Sequence, residues 1–165
     1  MTSCQICGDD YFPNEAEEHT HEDEPLGKGQ QRISWPTYAL HLAHAARIRS
    51  EDPHHQVGTV LLRHDMTVAA VGYNGAPAGM EIDWSDRDAR RSLVIHAEAN
   101  ALRYVRPGEI AIMATTMMPC LECLKLAIAY DIREIVYGER LDPEVYDVSA
   151  ILDMATRAHV TSEKR

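Results

Sequence analysis

The sequence predicts an α/β protein: a three-layer α/β/α sandwich around a mixed sheet of about five strands. Three observations lead there. From Ser34 onward, helical and strand periods alternate along the chain. The first two strand patterns stand side by side about a short turn, which makes them antiparallel partners. The later strand patterns are each followed by a helical one, the arrangement of crossovers between parallel strands. At 165 residues the chain is about one domain long and can bury a real core.

Ser34 is a good N-cap, and Pro36 suits a first helical turn. Tyr38, Leu42, Ala45, Ala46 and Arg49 keep helical spacing until SEDPHH breaks it. QVGTVLLR and TVAAVGY read as a β-hairpin turning at residues 64–66. A polar loop comes next, NGAPAGMEIDWSDRDARRS. VIHAEANALRYV (residues 94–105) reads as a helix stopped by Pro107-Gly108, and IAIMATT as a buried strand. Residues 119–130 form a helix with Pro119 at its head. REIVYGE is a strand, SAILDMATRA a last helix, and HVT (residues 159–161) a final short strand.

Composition narrows the class. With 45% hydrophobic and 25% charged residues the chain is an ordinary globular protein. No apolar run approaches the roughly 18 residues of a membrane span, so no membrane association is expected. MTSCQICGDD lacks the basic-then-apolar pattern of a signal peptide. A cytoplasmic location is therefore expected, where thiols stay reduced and paired cysteines read as metal or redox sites. A net charge of −10 argues against duplex nucleic acid as a partner. It leaves room for a small anion held by a local basic pocket.

Residues 1–33 differ from residues 34–165 and are read as a separate N-terminal segment. They hold Cys4-Gln-Ile-Cys7, the acidic run EAEEHTHEDE with His19 and His21, and then GKGQQR. Two thiols and two imidazoles suit a tetrahedral structural zinc. Cys4 and Cys7 with His19 or His21 are the candidate ligands of a second metal. The His-x-His spacing is not that of a standard zinc finger, and a loosely ordered tail is the alternative.

All four cysteines fall into Cys-x-x-Cys pairs, and the second pair sits in Pro119-Cys120-Leu121-Glu122-Cys123 at the head of a helix. Alone it suits a redox pair, half a structural zinc site, or two thirds of a catalytic one. The partial positive charge of a helix N-terminus favours thiolate. Another helix opens with His96-Ala97-Glu98. One imidazole and two thiolates make three protein ligands, the number that leaves catalytic zinc a place for water. Glu98 would then manage protons. In a regular helix positions i and i+2 do not share a face, so His96 and Glu98 converge only if the first turn is irregular.

His-x-Glu followed by Pro-Cys-x-x-Cys is the signature of zinc-dependent nucleobase deaminases. The likeness extends through SEDPHHQVGTVLL, VGYNGAPAG (71–79), HAEANAL (96–102), PCLEC (119–123) and IREIVYG (132–138). Over this half of the chain the sequence resembles the deoxycytidylate (dCMP) deaminase family, of the cytidine deaminase-like superfamily. Nucleoside-specific cytidine deaminases usually have cysteine at the place of His96. The tRNA adenosine deaminases share His-Ala-Glu but usually lack GYNG before so long a loop.

The resemblance implies that residues 34–165 are a zinc-dependent deaminase domain that converts dCMP to dUMP and ammonia. It implies Zn²⁺ on His96, Cys120 and Cys123, with Glu98 as the catalytic proton carrier. It implies that Asn74 hydrogen-bonds the deoxyribose and that Tyr73 and Ala97 also line the substrate. It further implies a homo-oligomer, often a hexamer. Arg87, Arg90 and Arg91, in the loop before His96, are the nearest cations for the monophosphate. Ala114-Thr115-Thr116-Met117-Met118 stands where the family often has Tyr-Val-Thr, so two methionines approach the metal helix. Other substrates (dCTP, a 5-substituted dCMP, RNA) and a non-catalytic zinc- and nucleotide-binding module are the alternatives.

Overall fold

In a computed structural model of the chain, the described residues are 32–165 together with two short paired strands, β1 (Thr2–Ser3) and β2 (Asp10–Tyr11). Cys4, Cys7, His19 and His21 lie outside the described residues. The chain divides into two units, Met1–Ile33 and Ser34–Arg165. The helices and the five-stranded sheet belong to the second unit.

Ser34 caps α1 (Trp35–Arg47) by accepting the Thr37 N–H at 3.3 Å. β3 (Gly58–Arg63) and β4 (Val68–Tyr73) form the expected antiparallel hairpin. Then come α2 (Arg87–Leu93), α3 (Ala97–Leu102), β5 (Ile110–Met117), α4 (Leu121–Ala129), β6 (Glu134–Glu139), α5 (Val148–Arg157) and β7 (Thr161–Lys164). Sheet order is β4-β3-β5-β6-β7. β3 is antiparallel to both neighbours, while β5-β6 and β6-β7 are parallel pairs bridged by α4 and α5.

Alternation along the strands builds two cores. Val60, Leu62, Ile112, Ala114 and Val136 pack with Ala39, Leu40 and Ala43 of α1 on one face. Leu61, Met113, Ile135 and Tyr137 face the opposite way, into a larger cluster with Leu102, Leu124 and Ile151 from α3, α4 and α5. The mixed five-stranded sheet and its three layers are those the sequence predicts.

Three elements depart from expectation. The segment read as loop contains α2, capped by Asp86, whose Oδ1 accepts the N–H groups of Asp88 and Ala89 at 2.8 and 3.1 Å. No residue of α2 is buried, so it carries no apolar period to betray it. The helix read over residues 94–105 is confined to Ala97–Leu102. Ile95 instead bridges Gly75, with N–H···O bonds of 2.9 and 3.2 Å, which keeps the chain extended up to His96. The last strand lies at Thr161–Lys164 rather than residues 159–161, because His159 adopts a left-handed φ of 55° just after α5.

Gly72 is required by a close approach. A Cβ there would lie 2.3 Å from the Ala97 carbonyl oxygen and 2.6 Å from the Ala101 nitrogen. Both contacts are backbone of α3, which cannot yield locally. Gly72→Ala is therefore expected to push α3 off β4 and to destabilise the protein by about 1–3 kcal/mol, the usual cost of overpacking. Denaturant unfolding measures this; an unchanged midpoint would contradict the close packing.

Candidate active site

The bridge between Ile95 and Gly75 sets up the first half of the site. His96 is extended (φ −68°, ψ 152°) and serves as N-cap of α3. Glu98 is then in the first helical turn, so the two side chains are not bound by the face rule of a regular helix. The second half repeats the device. β5 delivers the chain to Pro119, and Cys120, extended at φ −68° and ψ 170°, caps α4. Cys120 thus lies before the helix rather than within it, and Cys123 comes from its first turn. The Leu124 N–H closes that turn on the Cys120 carbonyl at 2.9 Å.

His96, Cys120 and Cys123 converge. His96 Nδ1 lies 3.3 Å from Cys123 Sγ and 3.6 Å from Cys120 Sγ. All three donor atoms fall within 4.8 Å of one another. A tetrahedral zinc with its usual bond lengths needs N···S edges of about 3.5 Å. Donor type and spacing therefore both fit that ion, with Nδ1 as the imidazole ligand.

The electrostatics of the group favour a cation. The hydrogen bond from the Cys123 thiol brings Cys120 down to about 4, assisted by His96 and against burial. Cys123 is pushed far up by the same hydrogen bond and by its own burial. His96 is raised, first by its hydrogen bond with Cys120 and then by the Glu98 charge. Burial raises Glu98, which is 4% exposed, although the nearby imidazole pulls the other way. Without a metal the three donors share protons, one thiolate being stabilised at the other thiol's expense. Binding a dication removes that conflict.

The group opens into a cavity of about 460 Å³, a size suited to a small ligand. His96, Ala97, Glu98 and Cys120 line it. Asn74 also lines it and is 5% exposed. Its Oδ1 accepts the Val57 N–H at 2.8 Å, and its Nδ2 donates to the His55 carbonyl at 2.8 Å. Arg87, Arg90 and Arg91 reach the same cavity from α2, a helix and not the loop expected. Met117 and Met118 both border it, and Met118 also belongs to the larger core. Tyr73 does not line it. It is 38% exposed at the end of the edge strand β4, where successive residues face opposite ways.

Sequence reasoning passed over several lining residues. His55 stands in SEDPHH, which in the sequence marks only the end of a helical period, yet the loop after α1 brings it to the cavity. Arg140, Leu141 and Tyr146 come after β6. The signal available for them was position. Ligands of open α/β sheets bind beyond the carboxyl ends of the strands, and Arg140 stands just past the end of β6 as Cys120 stands past β5. Among the described residues no helix is long and apolar enough to cross a membrane.

The chain is similar to known proteins. The family model for the cytidine and deoxycytidylate deaminase zinc-binding region matches residues 33–139. The deoxycytidylate deaminase of Homo sapiens is 31% identical over 120 residues, covering 67% of each chain. That of Mycobacterium phage D29 is 36% identical over 124 residues, 64% of this chain and 95% of its own. The crystal structure of a dCMP deaminase from cyanophage S-TIM5, in complex with dCMP and dUMP, superposes with a TM-score of 0.64 at 20% identity. The match covers 82% of this chain and all of that one, and establishes the common fold. On the extent of the family match and on a His-Cys-Cys group that suits the zinc of that region, the chain belongs to the cytidine and deoxycytidylate deaminase family.

Proposed function

We propose that this chain hydrolyses dCMP to dUMP and ammonia. The observation that carries the reading is the buried carboxyl of Glu98 beside the His96, Cys120 and Cys123 donors, in a cavity that arginines also line. The relatives named deoxycytidylate deaminase support dCMP as the nucleotide. In such a site zinc supplies a Lewis acid that activates water for attack at neutral pH.

The protein's residues do the rest. Glu98 is the proton carrier: it takes a proton as water adds at C4 of cytosine, gives one to ring N3, and helps protonate the departing amine. Burial raises its pKa, which suits a group that must both accept and donate near neutrality. Asn74 is read as the sugar contact, through the unused lone pair of Oδ1. Ala97 borders the base. Arg90 is read as a phosphate ligand, with Arg87 and Arg91 adding positive potential. We also propose that the chain is cytoplasmic and self-associates, a hexamer being the expected form. Exposed apolar side chains such as Trp35, Ile48, Val71 and Tyr104 support self-association.

Ammonia release across dCMP, dCTP, 5-methyl-dCMP, deoxycytidine and RNA tests the substrate. dCMP is expected to give the highest kcat/KM, and preference for any other member would replace the reading. Glu98→Gln is expected to keep one zinc on His96, Cys120 and Cys123 while kcat falls by at least about 10²–10⁴-fold. Retained turnover would point to a different proton carrier and would revive the non-catalytic module.

Zinc uptake is expected to release protons. Cys123 and His96 both have raised pKa values, so each competes with the metal as pH falls, whereas Cys120 is already a thiolate. Affinity should therefore increase with pH through the neutral range. Calorimetry in buffers of different ionisation enthalpy should show about one proton or more released per zinc at pH 7. Binding without proton release would contradict the protonation pattern.

A further inference from the structure

Asp52 is a buried carboxylate with no task in the deamination steps. It is 5% exposed and lines the cavity. Its Oδ1 accepts the backbone N–H groups of His54 at 2.8 Å and His55 at 3.0 Å. Its Oδ2 lies 3.5 Å from Asn74 Nδ2. The carboxylate is thus fixed in place by the loop after α1 and by the end of β4. From a different element, α2, Arg90 brings its Nη1 to 4.0 Å from Asp52 Oδ1.

That distance makes an ion pair but is too long for a hydrogen bond. Arg90 is part-buried, with a side chain 16% exposed, and its Nε has no hydrogen-bond partner among the described residues. Arg87 and Arg91 on the same helix are exposed. Arg90 is therefore held in the cavity by opposite charge while part of its planar fork of donors stays unused. A phosphate group matches that fork in charge and geometry. The attraction holding Arg90 acts over 4.0 Å. The guanidinium itself keeps an arriving phosphate farther than that from the carboxylate, and Asp52 acts by orienting Arg90 rather than by its own field on the phosphate.

We propose that Asp52 is a positioning residue for substrate selection. Its fixed carboxylate aims Arg90 into the cavity and so makes the site prefer the 5′-phosphorylated nucleotide to the nucleoside. The inference rests on the reading of Arg90 as a phosphate contact. A loop-capping role alone predicts something different. Asp52→Asn keeps an Oδ1 acceptor for the His54 and His55 amides, removes the charge facing Arg90, and replaces the oxygen facing Asn74 Nδ2 with a donor, a change that acts on dUMP and deoxyuridine alike.

The test is calorimetric binding of dUMP and of deoxyuridine to the zinc-loaded wild type, Asp52→Asn, Arg90→Gln and the double variant. The dUMP Kd is expected to rise about tenfold or more in Asp52→Asn, the scale of losing one member of a buried charge pair, and the deoxyuridine Kd by less than about threefold. The double variant should bind dUMP within about twofold of Arg90→Gln, because coupled residues are not additive. An unchanged dUMP Kd, equal losses for both ligands, or additive losses would overturn the proposal. Should Asp52→Asn not fold, Arg90→Lys keeps the charge without the fork, and dUMP binding as tight as in the wild type would overturn it too. A wild type with no preference for dUMP over deoxyuridine also ends the proposal. A wild type that prefers dUMP yet deaminates no cytosine nucleotide would end the functional reading and leave this one standing.

Discussion

Two helix heads facing each other, each begun by an extended residue, are the constraint on which this molecule's chemistry depends. His96 and Cys120 are both N-caps with ψ above 150°, so each side chain is released from the face its helix would otherwise impose. Neither cap makes a side-chain hydrogen bond to its own helix. A serine or aspartate would commit its oxygen to the N2 or N3 amide. An imidazole and a sulfur leave those positions free to meet each other and Cys123. The partial positive charge at the two helix starts favours the thiolate form.

The sheet makes this meeting possible. Cys120 is reached through β5, a central strand buried between β3 and β6. His96 is reached through the short bridge to Gly75, and α3 then lies on β4 so closely that position 72 has no room for a side chain. Errors in either path would move one donor relative to the other two. The same compactness buries Glu98. Its carboxyl carries a desolvation penalty that a water-exposed glutamate would not, and that penalty raises its pKa.

Much of this was legible in the residues, and the exceptions have physical causes. Strands with strict apolar content, such as TVLL and IAIM, declared themselves because both of their faces are buried. The ligand trio was legible because few residue types bind zinc and their spacing placed them at helix heads. α2 was not, since an exposed helix leaves no apolar period. The start of α3 was misplaced because Val94 and Ile95 fit a helical period as well as a bridge, and only the distant Gly75 decides between them. His55, Arg140 and Asp52 were invisible for a similar reason. Each belongs to the cavity through tertiary placement alone, and an isolated histidine, arginine or aspartate has no local pattern. Tyr73 adjoins Asn74 in sequence, but it ends β4 on the exposed face of that strand and does not line the cavity.

The central claim is that one imidazole and two thiolates of the Ser34–Arg165 unit hold a zinc ion. Elemental analysis of zinc per chain, comparing the wild type with Cys120→Ser/Cys123→Ser, tests it most directly. The account predicts that the double variant carries one zinc fewer per chain than the wild type. Equal zinc contents in the two proteins would contradict it.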